Sequence, residues 1–239
     1  MSDGFAIAAV TAVIRRTLLE AFAASNLSDV PGTISVTAEP PDRVIQGNGP
    51  EPTQVNIFLH QVSTNAGFRN MDLPSRNQDG GRVSGEPLAI DLHYFVTAYG
   101  SDMFEAEMLL GHTALALHEN ATLTREGIAR ALSPVPPDPS VPDALTTSGL
   151  GSQMELIKIL PEAVATEDMS RLWSAIQGQY RPTIAYRVSV LLIEPRSTGA
   201  SALPVRSPGG GAVALVTLQL DSVEADTGEL AWRFRGAPG

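Results

Sequence analysis

The sequence predicts an α/β (α+β) domain built on a mixed β-sheet flanked by helices, with a C-terminal β-hairpin. Three observations predict it. Leu88 to Tyr99 and Thr183 to Pro195 are long aliphatic and aromatic runs with the period of two that a pleated strand imposes. Ile7 to Phe22 and Asp102 to Asn120 instead space their apolar residues by three and four, the period of a helix face. Strands and helices interleave without an internal repeat, which places helices against a sheet.

The elements follow in order. Ser2 or Asp3 can cap the first helix, whose buried stripe is Ile7, Val10, Ile14, Leu18 and Phe22. Arg15, Arg16 and Glu20 lie off that stripe, and the helix is expected to end near Ser25-Asn26. A short strand, Thr33 to Ala38, is closed by Pro40-Pro41. The loop "RVIQGNGPEP" is rich in turn formers and leads into a strand from Gln54 to Val62. There Val55, Ile57 and Leu59 alternate with Asn56, Phe58 and His60, so both faces are expected to be covered. Ser63 to Gly85 is long for a connection, a length that points to function or mobility. In the Leu88–Tyr99 strand, Asp91, His93 and Phe95 share one side and Ile90, Leu92, Tyr94 and Val96 the other.

Ser101 or Asp102 with Glu105 forms a capping-box pattern for the next helix. Its expected stripe is Met103, Leu110, Ala114 and Leu117, with Asn120 as its end. Thr124 caps a short helix through Leu132. "SPVPPDPSVPDALTTSGLGSQ" is a linker-like interruption. "MELIKIL" reads as a strand, Thr166 to Ile176 as a helix and Thr183 to Pro195 as a strand. "RSTGASALPVRSPGGG" reads as a hairpin tip, "AVALVTLQLD" as the return strand, and "GELAWRF" as a last strand before a fraying "RGAPG".

Composition narrows the function. The 239 residues are 43 % hydrophobic, enough for a core, and only 5 % aromatic, which predicts a mostly aliphatic one. Charged residues are 18 %, below the usual quarter, which hints at surface covered by partners. The net charge of −10, with Lys158 the only lysine, argues against nucleic acid as a partner. No cysteine is present, so disulfides, thiolate metal sites and a cysteine nucleophile are all excluded. The N-terminal apolar run follows Asp3 and is broken by Arg15-Arg16. It therefore fits neither a signal peptide nor a membrane span, and a cytoplasmic protein is expected.

Motifs for chemistry are missing. "GGRVSG" at Gly80–Gly85 lacks the Lys-Ser/Thr ending of a phosphate loop, and "PGGGAV" sits between two expected strands. The four histidines, His60, His93, His112 and His118, show no two-histidine metal spacing; no cofactor and no metal is expected. Asp91 and His93 can form a polar pair on one strand face, but no G-x-S-x-G elbow supplies a nucleophile. Glu105 and Glu107 are two apart on a helix and point in different directions.

The order of segments carries a resemblance. "PPDR" (Pro40 to Arg43) precedes the strand Asn56 to Val62; then come Asn65, Arg69-Asn70 and Asp72-Leu73-Pro74, the strand Pro87 to Gly100, and the "EAE-LLG" helix Glu105 to Gly111. This order resembles the tail-terminator, or cap, proteins of extracellular contractile injection systems of the antifeeding-prophage and virulence-cassette type. It is specific over residues 52–118 and diffuse afterwards. The resemblance implies a tail-terminator-like cap domain over 1–195, with 196–239 as the hairpin's return strand and tail, part of the same domain. It implies a structural, non-enzymatic cap: a ring of copies of itself, six-membered, closing the baseplate-distal end of the inner tube and holding the last sheath ring. The implied partners are then itself, the tube protein and the sheath protein, with no membrane insertion.

A ring needs a head-to-tail interface, and Asn, Gln and Arg suit one because they make directed hydrogen bonds without a large desolvation cost. The candidate interface residues are Asn56, Gln61, Asn65, Arg69, Asn70, Asp72, Asp91 and His93, with Arg69–Asp72 a local ion pair. The hairpin, Thr183 to Ser222, is a candidate edge for strand addition. The alternatives are another tail-completion or baseplate component, an enzyme seated at Asp91-His93, and an adaptor binding ligands through the 63–85 loop.

Overall fold

The computed structural model describes residues 2–25, 27, 30, 32–44, 51–68, 87–133 and 138–194. Helix α1 spans Ala6–Ala24, strand β1 Ser35–Thr37, the single turn α2 Pro41–Val44, and β2 Gln54–Thr64. Strand β3 covers Leu88–Tyr99, α3 Glu105–Glu119, β4 Thr122–Leu123 and α4 Arg125–Leu132. The turn α5 covers Asp143–Thr146, β5 Ile157–Glu162, α6 Thr166–Ala175 and β6 Thr183–Ile193. The six strands make one mixed sheet in the order β1-β2-β3-β6-β5-β4. β1 is parallel to β2, and the other pairings are antiparallel. The expected fold class, a mixed sheet flanked by helices, is the observed one.

One face of the sheet and the helices share the core. Ile90, Leu92, Tyr94, Val96 and Ala98 of β3 meet Val10, Ile14, Leu18 and Phe22 of α1, all buried. Tyr94 keeps its hydroxyl satisfied by Thr11 Oγ1 at 2.9 Å, and burial still pushes its pKa well up. The largest enclosed side chains are Tyr94, Tyr99 and Phe95, all on β3; Phe22, Trp173 and Tyr186 are the other buried aromatics among the described residues, and aliphatic side chains fill most of the remaining core.

The start of α1 is tied down before the helix begins. Asp3 Oδ1 accepts the Phe5 N–H at 2.9 Å in the turn ahead of the helix, and the Ser2 hydroxyl donates to the Leu192 carbonyl; neither side chain caps α1 itself, whose N-cap residue is Phe5. Ser2 O also accepts the Glu194 N–H at 2.9 Å. Thr124 caps α4 as expected, its Oγ1 accepting from the Gly127 N–H at 3.1 Å.

The start of α3 corrects one expectation. Glu105 is fully buried, and its Oε2 accepts the Asp102 N–H at 3.0 Å, which is one half of the expected capping box; no side chain caps the α3 N-terminus in return. Burying Glu105 sets the helix phase, and the core stripe becomes Leu109, Thr113, Ala116 and Leu117. Leu117 was expected there; Leu110 and Ala114 are half-buried, and Met103 is 80 % exposed. Burial raises the Glu105 pKa, yet the Asp102 and Ser101 N–H groups and the Thr53 hydroxyl together bring it below the ordinary carboxylate value.

The stretch expected as a linker is stitched to the sheet and α1. Arg15 donates through Nε to the Val36 carbonyl at 2.8 Å and through Nη1 to Asp138 Oδ2 at 2.7 Å. Gln153 donates to the Val190 carbonyl at 2.8 Å and accepts the Leu192 N–H at 3.0 Å. Leu145 and Leu150 are buried. Apolar residues inside a Pro-rich sequence carry this packing, and no periodicity reveals it.

The expected hairpin tip, return strand and last strand lie outside the described residues. β6 is an inner strand over Ala185–Ser189, with β3 on one side and β5 on the other, so a return strand has no free β6 edge there. The turn α2 and the two-residue β4 escape the sequence because each is too short to show a period.

Two stability outcomes follow. A Cβ on Gly100 would lie 2.7–2.8 Å from Cγ, Cβ and Cδ of the enclosed Glu105. Gly100→Ala is therefore expected to cost about 1–3 kcal/mol, read as a lowered urea midpoint at unchanged m. The Ser140 hydroxyl and the Arg15 guanidinium hold the Asp138 carboxyl down at about 2. A carboxyl depressed on folding stabilises above its unfolded pKa, and that contribution fades as pH falls from about 4 towards 2. Asp138→Asn should lose about 1–2 kcal/mol at neutral pH, and the gap to the parent should close towards pH 2.

Candidate functional site

The second face of the sheet is polar, and a β-bulge makes it so. In β2, Leu59 pairs with Tyr94 and Gln61 with His93, leaving His60 as the extra residue. The bulge inverts the alternation. Before it, Val55, Ile57 and Leu59 face the core; after it, Gln61 and Ser63 turn to the opposite face, beside His93 and Asp91. β5 and β6 contribute Lys158, Leu160, Glu162, Arg187 and Ser189 to the same face through the pairs Lys158↔Ser189 and Leu160↔Arg187.

A hydrogen-bond chain crosses this face. His93 Nε2 is 2.7 Å from Ser63 Oγ, and its Nδ1 is 2.7 Å from Glu162 Oε2. A neutral His93 donating from Nδ1 to Glu162 leaves Nε2 to accept the Ser63 hydroxyl, which satisfies all three groups. Beside it, Asn65 Nδ2 donates to Asp91 Oδ1 at 2.8 Å and to Ser189 Oγ at 3.1 Å, while its Oδ1 accepts the Phe68 N–H at 3.0 Å. Strands β2, β3, β5 and β6 are thus joined by side chains as well as by their ladders. The His60 ring stacks on Phe95 with centroids 4.0 Å apart. Burial, then the His93 ring, lower the His60 pKa against the opposing pull of Glu162, so this imidazole stays uncharged near neutrality.

The expected Asp91-His93 pair does not form. The two side chains share a face, but Asp91 bonds to Asn65 and His93 to Ser63 and Glu162. The Ser63–His93–Glu162 distances match those of a nucleophile, its base and the base's orienting acid. Ser63, however, lies within β2 opposite Asp91 and not on a strand-to-helix elbow that would expose its Oγ. Among the described residues no group of three or more His, Asp or Glu side chains could hold a metal ion. None of their helices is long and apolar enough to cross a membrane.

The candidate interface residues separate into three sets. Asn56 is fully buried at the other end of β2: its Oδ1 accepts from Thr37 Oγ1 at 2.9 Å and the Glu39 N–H at 3.0 Å, and its Nδ2 donates to the Glu39 carbonyl at 2.8 Å. It latches the turn after β1 onto β2 and offers no surface to a neighbour. Asn65, Asp91 and His93 belong to the polar chain, and Gln61 stands exposed beside it. Arg69, Asn70 and Asp72, with the Arg69–Asp72 ion pair, lie outside the described residues. Sequence reasoning missed Ser63, Glu162 and Ser189. Only strand pairing brings them to His93 and Asn65, and the sole signal in the chain is that Lys158, Leu160 and Glu162 alternate.

Asn56→Leu is expected to cost about 2–3 kcal/mol, because the Glu39 N–H and carbonyl lose their partner in a closed site. That corresponds to a melting point about 4–12 °C lower for a domain of this size, measurable by calorimetry.

A family model described as the Pvc16 N-terminal domain matches residues 9–207. No curated protein matches the chain. Among solved structures it is similar to the sheath/tube terminator of PVC, an extracellular contractile injection system, in the extended state. The identity is 15 %, the cover 85 % of this chain and 65 % of that chain, and the TM-score 0.49. It is also similar to the tube-terminating cap of the anti-feeding prophage, at 14 % identity, with 79 % of this chain and 58 % of that chain covered and a TM-score of 0.48. This chain spans less than two thirds of either of those chains. The matched residues alone carry the assignment: the chain belongs to the Pvc16 N-terminal domain family.

Proposed function

We propose that this member of the Pvc16 N-terminal domain family is a structural, non-enzymatic cap of a phage-tail-like contractile injection system. It closes the baseplate-distal end of the inner tube and anchors the last sheath ring, as a six-membered ring of copies. The single observation that carries the reading is the family match over residues 9–207. The polar face is consistent with it: its groups are paired to one another across four strands, an arrangement that stiffens a surface. Gln61, Lys158 and Arg187 are exposed on that face and free in position to meet the tube, the sheath or a neighbouring copy. The protein works from the cytoplasm, where the particle is assembled, and makes or breaks no bond.

Deleting the coding sequence tests this. Particles from the deletion strain should show a broad spread of tube lengths and bare or slipped sheath in negative-stain micrographs, with restoration by the intact chain. Tubes of unchanged length with sheath in place would refute the cap.

A further inference from the structure

Most of β2 borders the sheet on one side. β1 pairs with it only from Ser35↔Gln54 to Thr37↔Asn56. The Asn56 side chain then holds the Glu39 N–H and carbonyl, and the parallel pairing ends there. From Ile57 to Thr64, no strand among the described residues pairs with β2 on the side away from β3. The other edges are short or closed. β1 and β4 have three and two residues, and β5 carries Pro161, which has no N–H to offer. On β6, β5 covers Ala185–Ser189, and beyond it the Gln153 side chain bonds the Val190 carbonyl and the Leu192 N–H. A long open edge is a template for pairing, and native chains cover such edges.

A groove of about 720 Å³ opens beside that edge, under the N-terminal half of α1. Phe5, Ala8, Val36, Ile57 and Leu59 supply apolar wall. A strand continuing the line of β1 past Asn56 has one face in this groove. The chain leaves the described residues close by. The Glu194 N–H donates to the Ser2 carbonyl at 2.9 Å and the Ser2 hydroxyl to the Leu192 carbonyl, so the end of β6 is fastened to the start of α1. β2 and β6 are both antiparallel to β3, so Glu194 lies at the Thr64 end of β2. From β6 to a position outside β2 is three strand spacings, roughly 14 Å, and residues 195–211 reach roughly 55 Å at full extension. Beyond them stands "AVALVTLQLD", Ala212 to Asp221. Ala212, Ala214, Val216, Leu218 and Leu220 make one wholly apolar side, while Thr217, Gln219 and Asp221 give the other side a polar end. That is the pattern of a strand with one buried face. It lies past residue 207, where the family match ends.

We propose that Ala212–Asp221 docks on the open edge of β2 in its own chain, as an added antiparallel strand with its apolar side seated in the groove under α1. Main-chain hydrogen bonds to β2 hold it, and the groove selects which side faces inward. The direction follows from the exit point, since a strand arriving from the Thr64 end runs against β2. The added strand closes the edge that would otherwise recruit a foreign strand. The proposal stands apart from the cap reading.

Amide hydrogen exchange on the full-length chain tests it. Leu218→Asp puts a carboxylate on the side that faces the groove, and Thr217→Asp puts one on the opposite side. In the parent, the amides of residues 57–64 that point away from β3 should exchange about tenfold more slowly than in Leu218→Asp. Thr217→Asp should keep the parent's protection, and amides in the β3–β6 ladder around Phe95↔Ala185 should be equal in all three chains, which checks that each is folded. Equal exchange of residues 57–64 in parent and Leu218→Asp overturns the proposal, as does an equal loss in both variants. Protection that rises with protein concentration makes a second copy the occupant and also overturns it. So does protection that appears only when tube or sheath protein is added.

Discussion

The structure depends on β3 being covered on both faces. From Ile90 to Tyr99 every residue of this strand is enclosed, and β2 and β6 pair with it on its two edges. One side chain set, Ile90 to Ala98 by twos, anchors the helical layer. The other, Asp91 to Tyr99 by twos, cannot be left dry and unpaired, since a buried carboxylate or imidazole without partners costs several kcal/mol. The polar face answers that constraint: Asn65 satisfies Asp91, and Ser63 and Glu162 satisfy His93. The end of the same strand also places Gly100 under Glu105 and so sets the phase of α3.

This gives two distinct kinds of surface to a chain with few charges. The polar face is stiff because its groups are committed to each other, and Gln61, Lys158 and Arg187 stand exposed on it. Apolar surface is exposed elsewhere, at Met103 and Phe104 ahead of α3. Rigid, mutually different patches are what assembly by surface fit requires, since neither has to be ordered at the moment of contact. The same rigidity would serve a catalytic chain poorly where Ser63 lies: a strand residue facing its cross-strand partner leaves little room for an attacking geometry.

The parts of the fold that follow from periodicity were legible in the amino-acid sequence. β3 begins and ends at the expected residues, and α1, α4, α6 and β6 are close to them, because each is long or capped by a specific side chain. The failures have local causes. The bulge at His60 inverts the parity of β2, and no side chain announces it, so Ser63 could not be placed beside His93. A buried Glu105 reverses the usual expectation for a carboxylate and rotates the stripe of α3 away from Leu110. Leu145 and Leu150 pack from within a Pro-rich run, where composition suggested only a linker. The site was half visible: Asn65, Asp91 and His93 were singled out for their type, whereas Glu162 and Ser189 arrive from strands far along the chain.

The most direct test of the central claim, that this chain acts by fitting the end of a tube, is to locate it. Particles carrying a gold-labelled copy of the chain should show label at the tip opposite the baseplate and nowhere along the sheath. Label at the baseplate, or particles that never carry it, would contradict the account.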